Sequence, residues 1–145
     1  MRHRGNTEYV AVVTGGSSGI GKCTAKALAA AGYRVYDFSR HNAGTAGVLH
    51  IKADVTDELS VQQAVAQVLE QADRIDILIN CAGFGISGAV EFTELAEARR
   101  QFDVNFFGMV NVTRTVLPSM RNAGRGRIIN ISSVAAAAAI PFQTF

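Results

Sequence analysis

Short apolar runs alternate with longer amphipathic segments along most of the chain. The run from Tyr9 to Thr14 is apolar at nearly every position and rich in β-branched residues, which predicts a strand covered on both faces. Four later runs of similar length predict further strands. They span Arg34 to Ser39, Val48 to Lys52, Ile75 to Asn80 and Arg127 to Ser132.

Segments of helical length separate these strands. The segment from Ile20 to Ala31 is rich in Ala, Leu and Lys, and Gly32 supplies a left-handed stop just beyond it. Between Glu94 and Met120 the apolar residues keep to one broad face, which predicts a long helix that Pro118 ends. Another helix is indicated by apolar residues at helical spacing, namely Leu59, Val61, Val65, Val68 and Leu69.

Strands separated by helices indicate right-handed crossovers within a parallel sheet. We therefore expect an α/β fold of the Rossmann type, with a doubly wound parallel sheet of five strands in the order 3-2-1-4-5 and helices on both faces. The usual form of this sheet continues to a sixth strand beside the fifth. The expected unit is thus a single domain over residues 1–145 whose C-terminal strands are missing from this sequence.

Composition and charge narrow the classes of partner. Hydrophobic residues make up 48% of the 145 residues and charged residues 18%, a balance that favours a well-buried core over disorder. A formal net charge of +2 is too small for the electrostatic field on which nucleic-acid and anionic-membrane binders depend. The apolar run from Val134 to Ile140 is too short to span a bilayer. We expect no nucleic-acid partner, no membrane partner and a cytoplasmic location.

The histidines and cysteines do not indicate a metal site. His3, His41 and His50 match no metal-ligand spacing, so we interpret them as surface residues. Cys23 and Cys81 form no spacing motif and are typical of a protein in a reducing compartment.

A glycine-rich segment at the end of the first predicted strand carries the strongest chemical signal. Residues Thr14 to Gly21 read TGGSSGIG and open the first predicted helix. Glycines at such a turn let the backbone approach a pyrophosphate, while free N–H groups and the positive end of the helix dipole offset its charge. The segment therefore predicts a nucleotide-binding turn.

The spacing of this turn, G-x-x-x-G-x-G, resembles that of the short-chain dehydrogenases/reductases, and later motifs follow in that family's order. The resemblance implies that Gly15, Gly19 and Gly21 are the family's cofactor-turn glycines, with Ser17, Ser18 and Ile20 in the same turn. Asp54 and Val55 resemble the pair that contacts the adenine ring. Asp54 could equally cap the following helix.

The fourth predicted strand leads into a second motif of the family. Asn80, Cys81, Ala82 and Gly83 resemble its N-N-A-G element, with Cys81 in place of the second Asn. The resemblance implies a cofactor contact made largely through backbone. A reactive thiol at Cys81 is a weaker alternative, because nothing nearby in sequence would lower its pKa.

The resemblance also implies a preference for NADP over NAD. The family's NAD-selecting acid would stand at Ser39, and without a carboxylate there Arg40 can bind a 2′-phosphate. Two alternatives stay open at this point. Arg40 could be an ordinary surface arginine, and Asp37 could point at the ribose.

Two residues resemble parts of the family's catalytic group. Asn105 matches the Asn that holds a water in a proton relay, although an Asn bonded to backbone is the alternative. Ser133 matches the serine that hydrogen-bonds the substrate oxygen, with Ser132 the alternative should the register slip by one. The family's Y-x-x-x-K motif has no counterpart in this sequence, because none of its three tyrosines has a lysine four residues later.

The function implied is hydride transfer between NADP(H) and a small-molecule carbonyl or secondary alcohol by a homo-oligomeric oxidoreductase. The alternative is a dinucleotide-binding module without turnover. Because the tyrosine and lysine are absent, we expect these 145 residues alone to turn over no substrate and to associate through exposed surface.

Overall fold

The computed structural model describes residues 9–143 and 145. Their strands form one five-stranded parallel sheet. Its strand order, β3-β2-β1-β4-β5, confirms the predicted Rossmann-type arrangement. The strands are β1 (Val10–Thr14), β2 (Arg34–Ser39), β3 (Val48–Lys52), β4 (Ile77–Asn80) and β5 (Arg127–Asn130). β2 and β3 have the predicted bounds, whereas β4 begins two residues later and β5 ends two residues earlier than expected.

The connections between strands are helical. They are α1 (Gly19–Ala30), α2 (Glu58–Ala72), α3 (Leu95–Phe102) and α4 (Met109–Asn122), with three-residue 3-10 turns at Val90–Phe92 and Val134–Ala136. None of the helices in the described part of the chain has the length and apolar character needed to cross a membrane.

The long helix predicted between Glu94 and Met120 is interrupted. A π-helical turn over Asp103–Gly108 joins α3 to α4. Pro118 does not end α4, so that prediction is wrong. The buried face of α4 continues past the proline to Met120, and this packing outweighs the lost hydrogen bond. The chain leaves the helix near Gly124, where the backbone is left-handed with φ of 64°.

The sheet separates two apolar clusters because successive side chains of a strand point to opposite faces. Tyr36, Phe38 and Leu78 pack with α2 and α4 on one face. Val13 and Val35 pack with α1 on the other. All five residues of β1 are buried, as the continuous apolar run predicts. Because the strands are parallel, their carboxyl ends all lie at the same end of the sheet.

Candidate cofactor-binding site

A cavity of about 670 Å³ opens at the carboxyl ends of the central strands, within the size range of small-molecule sites. Most of the predicted cofactor-binding residues line it: Gly15, Ser17, Ser18, Gly19, Ile20, Gly21, Ser39, Arg40, Asp54, Val55, Cys81, Ala82 and Gly83. Asn80 is buried and does not line the cavity. The structure thus brings residues from four loops to one place.

The glycine-rich turn is shaped by close backbone approaches. Gly15 has φ of 68°, and a Cβ atom there would lie 2.9 Å from the Cα of Ala82. A Cβ atom at Gly21 would lie 2.3 Å from the carbonyl oxygen of Gly15. Both distances are too short for any side chain, so the glycines let the turn pack tightly against the loop after β4.

The N-terminus of α1 faces this cavity without a side-chain cap. Ser18 is the N-cap residue, yet its hydroxyl makes no capping hydrogen bond, and the first turn of α1 carries no acidic side chain. Uncapped N–H groups and the positive end of the helix dipole favour an anion. These features fit the pyrophosphate of a dinucleotide.

Thr14 holds the loop after β4 in place. Its Oγ1 accepts hydrogen bonds from the backbone N–H groups of Cys81 and Ala82, both at 3.0 Å. The Asn80 amide donates to Oδ1 of Asn130 at 2.8 Å and to Oγ1 of Thr113 at 3.2 Å. Asn80 therefore ties β4 to β5 and α4 from behind the cavity. The sequence alone does not indicate this role for Thr14.

Asp54 lies at the cavity wall after β3. Its carboxylate accepts hydrogen bonds from the Oγ1 and the backbone N–H of Thr56, and these bonds lower its pKa, with a smaller contribution from the charge of Arg40. The cap of α2 is Asp57, which accepts from the N–H groups of Leu59 and Ser60. The capping alternative for Asp54 is therefore wrong.

Ser39, Arg40 and His41 form the wall at the end of β2. Asp37 does not reach this wall, because its side chain is buried beneath the turn and accepts hydrogen bonds from Ser39 and His50. The alternative in which Asp37 points at a ribose is therefore not supported.

The three histidines differ in their surroundings. His50 is half-buried against the Asp37 carboxylate, so its interpretation as a surface residue is wrong. His41 is exposed, and His3 lies outside the described residues.

Cys81 lines the cavity but is not activated. Burial raises the pKa of its thiol, which disfavours the nucleophilic thiolate. The reactive-thiol alternative for Cys81 is therefore not supported. Among the described residues, no cluster of three or more metal-binding side chains occurs.

The two residues with predicted catalytic roles lie outside the cavity lining. Asn105 is in the π-helical turn, a feature often found at functional sites, and its amide pairs with the backbone of Phe84: Oδ1 accepts the N–H at 3.0 Å and Nδ2 donates to the carbonyl at 2.8 Å. Ser133 is exposed three residues after β5, and its Oγ accepts the N–H of Ala135 at 3.1 Å. Their roles stay predictions.

Family membership follows from the sequence as a whole. Residues 9–145 match the family model described as short chain dehydrogenase. The chain belongs to this family. Its members are NAD(P)-dependent dehydrogenases and reductases.

Curated short-chain dehydrogenases resemble the chain over nearly its full length. A 3-ketodihydrosphingosine reductase of Bacteroides thetaiotaomicron is 47% identical over 137 residues, which cover 94% of this chain and 51% of that protein. A probable short-chain type dehydrogenase/reductase of Helicobacter pylori is 37% identical over 131 residues, 87% of this chain and 48% of that protein. The chain spans about half the length of the curated relatives it matches.

Solved structures of the family share the fold. Ligand-free aldohexose dehydrogenase of Thermoplasma acidophilum superposes with a TM-score of 0.88 at 34% identity, over 94% of this chain and 53% of that one. A variant of actinorhodin polyketide ketoreductase with NADPH gives 0.87 at 29% identity, over 94% of this chain and 57% of that one. These matches confirm the Rossmann-type sheet.

The short-chain dehydrogenase motifs did not reveal every residue of the cavity. Arg100 from α3 also lines it, and its guanidinium lies 5.6 Å from the centre of the Phe84 ring. No local pattern around Arg100 signals a ligand. The remaining lining residues for which the motifs predict no role are Phe38, His41, Ala53, Thr56, Phe84, Asp103 and Val104.

Proposed function

We propose that the chain is the dinucleotide-binding part of an NADP-dependent oxidoreductase that transfers hydride between NADP(H) and a carbonyl or secondary alcohol. The observation that carries this proposal is the uncapped N-terminus of α1 beneath the glycine turn, in one cavity with Arg40. The first favours a pyrophosphate and the second a 2′-phosphate.

Each part of the cavity suits one part of the cofactor. The turn from Gly15 to Gly21 would hold the pyrophosphate, while Asp54 and Val55 would contact the adenine ring. Arg40 would donate charge-assisted hydrogen bonds to the 2′-phosphate, and no carboxylate at position 39 opposes it. Backbone groups of Ala82 and Gly83 would support the nicotinamide end.

The bound nicotinamide would supply the hydride chemistry. Ser133 retains a free proton for a substrate oxygen, because its Oγ acts only as an acceptor toward Ala135. The amide of Asn105 retains one lone pair and one N–H beyond its bonds to Phe84, enough to hold a water. Without a Y-x-x-x-K motif, we expect the chain alone to bind cofactor without steady turnover.

One relative suggests a first substrate to test. The Bacteroides relative is named for the reduction of 3-ketodihydrosphingosine, which makes this ketone the first substrate to test with the whole protein. We further propose a cytoplasmic location and a homo-oligomeric assembly. A dinucleotide-binding module without turnover is the alternative for the whole protein, and relatives named as reductases and dehydrogenases do not favour it.

A binding titration of the purified chain tests the cofactor assignment. Nicotinamide fluorescence on addition of NADPH and of NADH should give at least tenfold tighter binding of NADPH. The Gly21→Ala variant should bind neither, because its Cβ would collide with Gly15, whereas Gly85→Ala, whose Cβ meets nothing within 4 Å, should bind both normally. Tighter binding of NADH would overturn the NADP assignment, and binding of neither by the unmodified chain would overturn the whole proposal.

A further inference from the structure

A buried carboxylate lies behind the wall of the cavity at the end of β2. Asp37 is only 3% exposed and faces α1 from the middle of the sheet. Oδ2 accepts a hydrogen bond from Oγ of Ser39 at 2.6 Å and lies 3.1 Å from Nδ1 of His50, which stands directly opposite on β3. A carboxylate can only accept, so Nδ1 of His50 carries the proton in this contact. We call these three residues the Asp37 cluster.

The Asp37 cluster determines which acceptor the Ser39 hydroxyl donates to. Ser39 lines the cavity, and its single proton has two acceptors within reach: Oδ2 of Asp37 at 2.6 Å and the carbonyl oxygen of His41 at 2.9 Å. Nδ1 of His50 also lies 3.4 Å from this hydroxyl, but it carries the proton of its contact with Asp37 and does not accept. The carboxylate bond is shorter and charge-assisted, so it is the stronger of the two. With the proton held there, Ser39 offers the cavity lone pairs and no donor.

The two dinucleotides make opposite demands on such a hydroxyl. A ribose 2′-hydroxyl, as in NADH, can donate to the Ser39 lone pair. The 2′-phosphate of NADPH accepts only and requires a donor. To donate to the phosphate, Ser39 would have to break its 2.6 Å hydrogen bond to the Asp37 carboxylate.

We propose that Asp37 is a positioning residue that keeps Ser39 an acceptor toward the cavity and thereby limits the preference for NADPH over NADH. This inference rests on the proposed dinucleotide function. Arg40 favours the phosphate and Asp37 opposes it through Ser39. The balance of the two sets the selectivity.

The ratio of NADPH affinity to NADH affinity tests this role, because a merely structural change would lower both affinities together. Asp37→Ala removes the charged acceptor and leaves Ser39 the His41 carbonyl at 2.9 Å and Nδ1 of His50 at 3.4 Å, both weaker acceptors from which a phosphate can draw the proton. The ratio should therefore rise by about fivefold, the equivalent of one ordinary hydrogen bond. Asp37→Asn keeps an oxygen acceptor in the same place and should stay within about twofold of the unmodified chain.

The controls separate the possible failures. In a Ser39→Ala background the Asp37→Ala substitution should no longer change the ratio, and circular dichroism should show that each variant is folded. An equal rise for Asp37→Ala and Asp37→Asn would attribute the effect to charge and overturn the positioning role. An effect that persists without the Ser39 hydroxyl would overturn it too. Should the unmodified chain bind neither dinucleotide, the proposed function fails with it; should it bind both with an unchanged ratio in Asp37→Ala, only the present inference fails.

Discussion

A Cβ atom at Gly16 would lie 2.5 Å from Oδ1 of Asp37 and 2.9 Å from its Cγ. Gly16 is the second glycine of the cofactor turn. Its contact with Asp37, and not the shape of the turn, explains why a glycine is needed at this position. The Asp37 carboxylate fills the space in which a side chain at position 16 would stand. Residue 16 is therefore restricted to glycine by residue 37 of the neighbouring strand.

The Gly16→Ala substitution should lower the free energy of unfolding by about 1–3 kcal/mol, as for other overpacked sites. In an Asp37→Ala background the same substitution should cost much less, since the closest remaining contact would be the Cβ of residue 37 at 3.1 Å. Urea unfolding of the four proteins gives the coupling free energy. Additive effects would contradict the steric link between the two positions.

Arg40 should contribute to NADPH binding alone. Arg40→Ala removes the charge-assisted hydrogen bonds to the 2′-phosphate, so NADPH affinity should fall at least about tenfold while NADH affinity stays nearly unchanged. Fluorescence titration with both dinucleotides measures the two effects. Arg121→Ala, an exposed arginine of α4 that does not line the cavity, is the matched control. Equal losses of both affinities would refute the assignment.

The lowered pKa of Asp54 makes its contribution to stability depend on pH. Because the pKa is lower in the folded chain than in the unfolded one, the contribution is complete above about pH 4 and is lost as the pH falls through the folded value. Thr56→Val removes the largest cause of the lowering and should raise the pKa of Asp54. The loss in unfolding free energy at pH 7 should stay below about 1 kcal/mol, because the carboxylate is partly exposed.

NMR titration of the Asp54 carboxyl carbon measures this shift directly. Thr56→Ser keeps the hydroxyl donor and should leave the Asp54 pKa near that of the unmodified chain. A Thr56→Val variant that titrates like the unmodified chain would show that the hydroxyl bond does not govern Asp54.

The strand order and most of the cavity lining could be predicted because their signals are local. Apolar runs marked the strands, and the glycine spacing marked the turn. The contact of Gly16 with Asp37 and that of Asp37 with His50 left no such signal. His50 lies 13 residues after Asp37 and comes opposite it only through the register of β2 with β3. A histidine outside any metal spacing therefore looked like a surface residue.

The helix after β4 shows a second limit of sequence reasoning. The apolar face that predicted one helix does continue, but a π-helical turn at Asp103–Gly108 leaves no mark in the pattern. Pro118 has a strong intrinsic tendency to end a helix. Burial of Val116 and Met120 on either side of it outweighs that tendency, and burial depends on tertiary packing.

Cys81 should react slowly with iodoacetamide, because burial raises the pKa of its thiol and little thiolate is present at pH 7. The exposed Cys23 should react faster, and the two should react alike in the unfolded chain. Saturating NADPH should slow the reaction of Cys81 further, since Cys81 lines the cavity, and leave Cys23 unaffected. Peptide mass spectrometry over time measures both rates. Faster labelling of Cys81 than of Cys23 would revive the reactive-thiol alternative.

The purified 145-residue chain should associate. Phe92 is 83% exposed and Phe107 58%, with Phe102 and Phe106 also exposed on the segment from the first 3-10 turn to α4, and large apolar side chains grouped at a surface favour self-association. Within the part of the chain that the structure describes, β5 is an edge strand whose open N–H and C=O groups invite pairing.

Light scattering of the chain measures this association, and the two causes can be told apart. Replacing Phe92 and Phe102 by Gln should lower the associated fraction if the aromatic surface drives it, since Gln keeps the length of the side chain but removes its apolar area. The N–H groups of Arg127 and Ile131 donate to β4, so the N–H of Ile128 between them faces the open edge. An Ile128→Pro variant removes this donor and tests the edge, although circular dichroism must show that the sheet survives. If neither variant changes the scattering, both surfaces are excluded as the cause. A monomer at all concentrations in the unmodified chain would contradict the expected association itself.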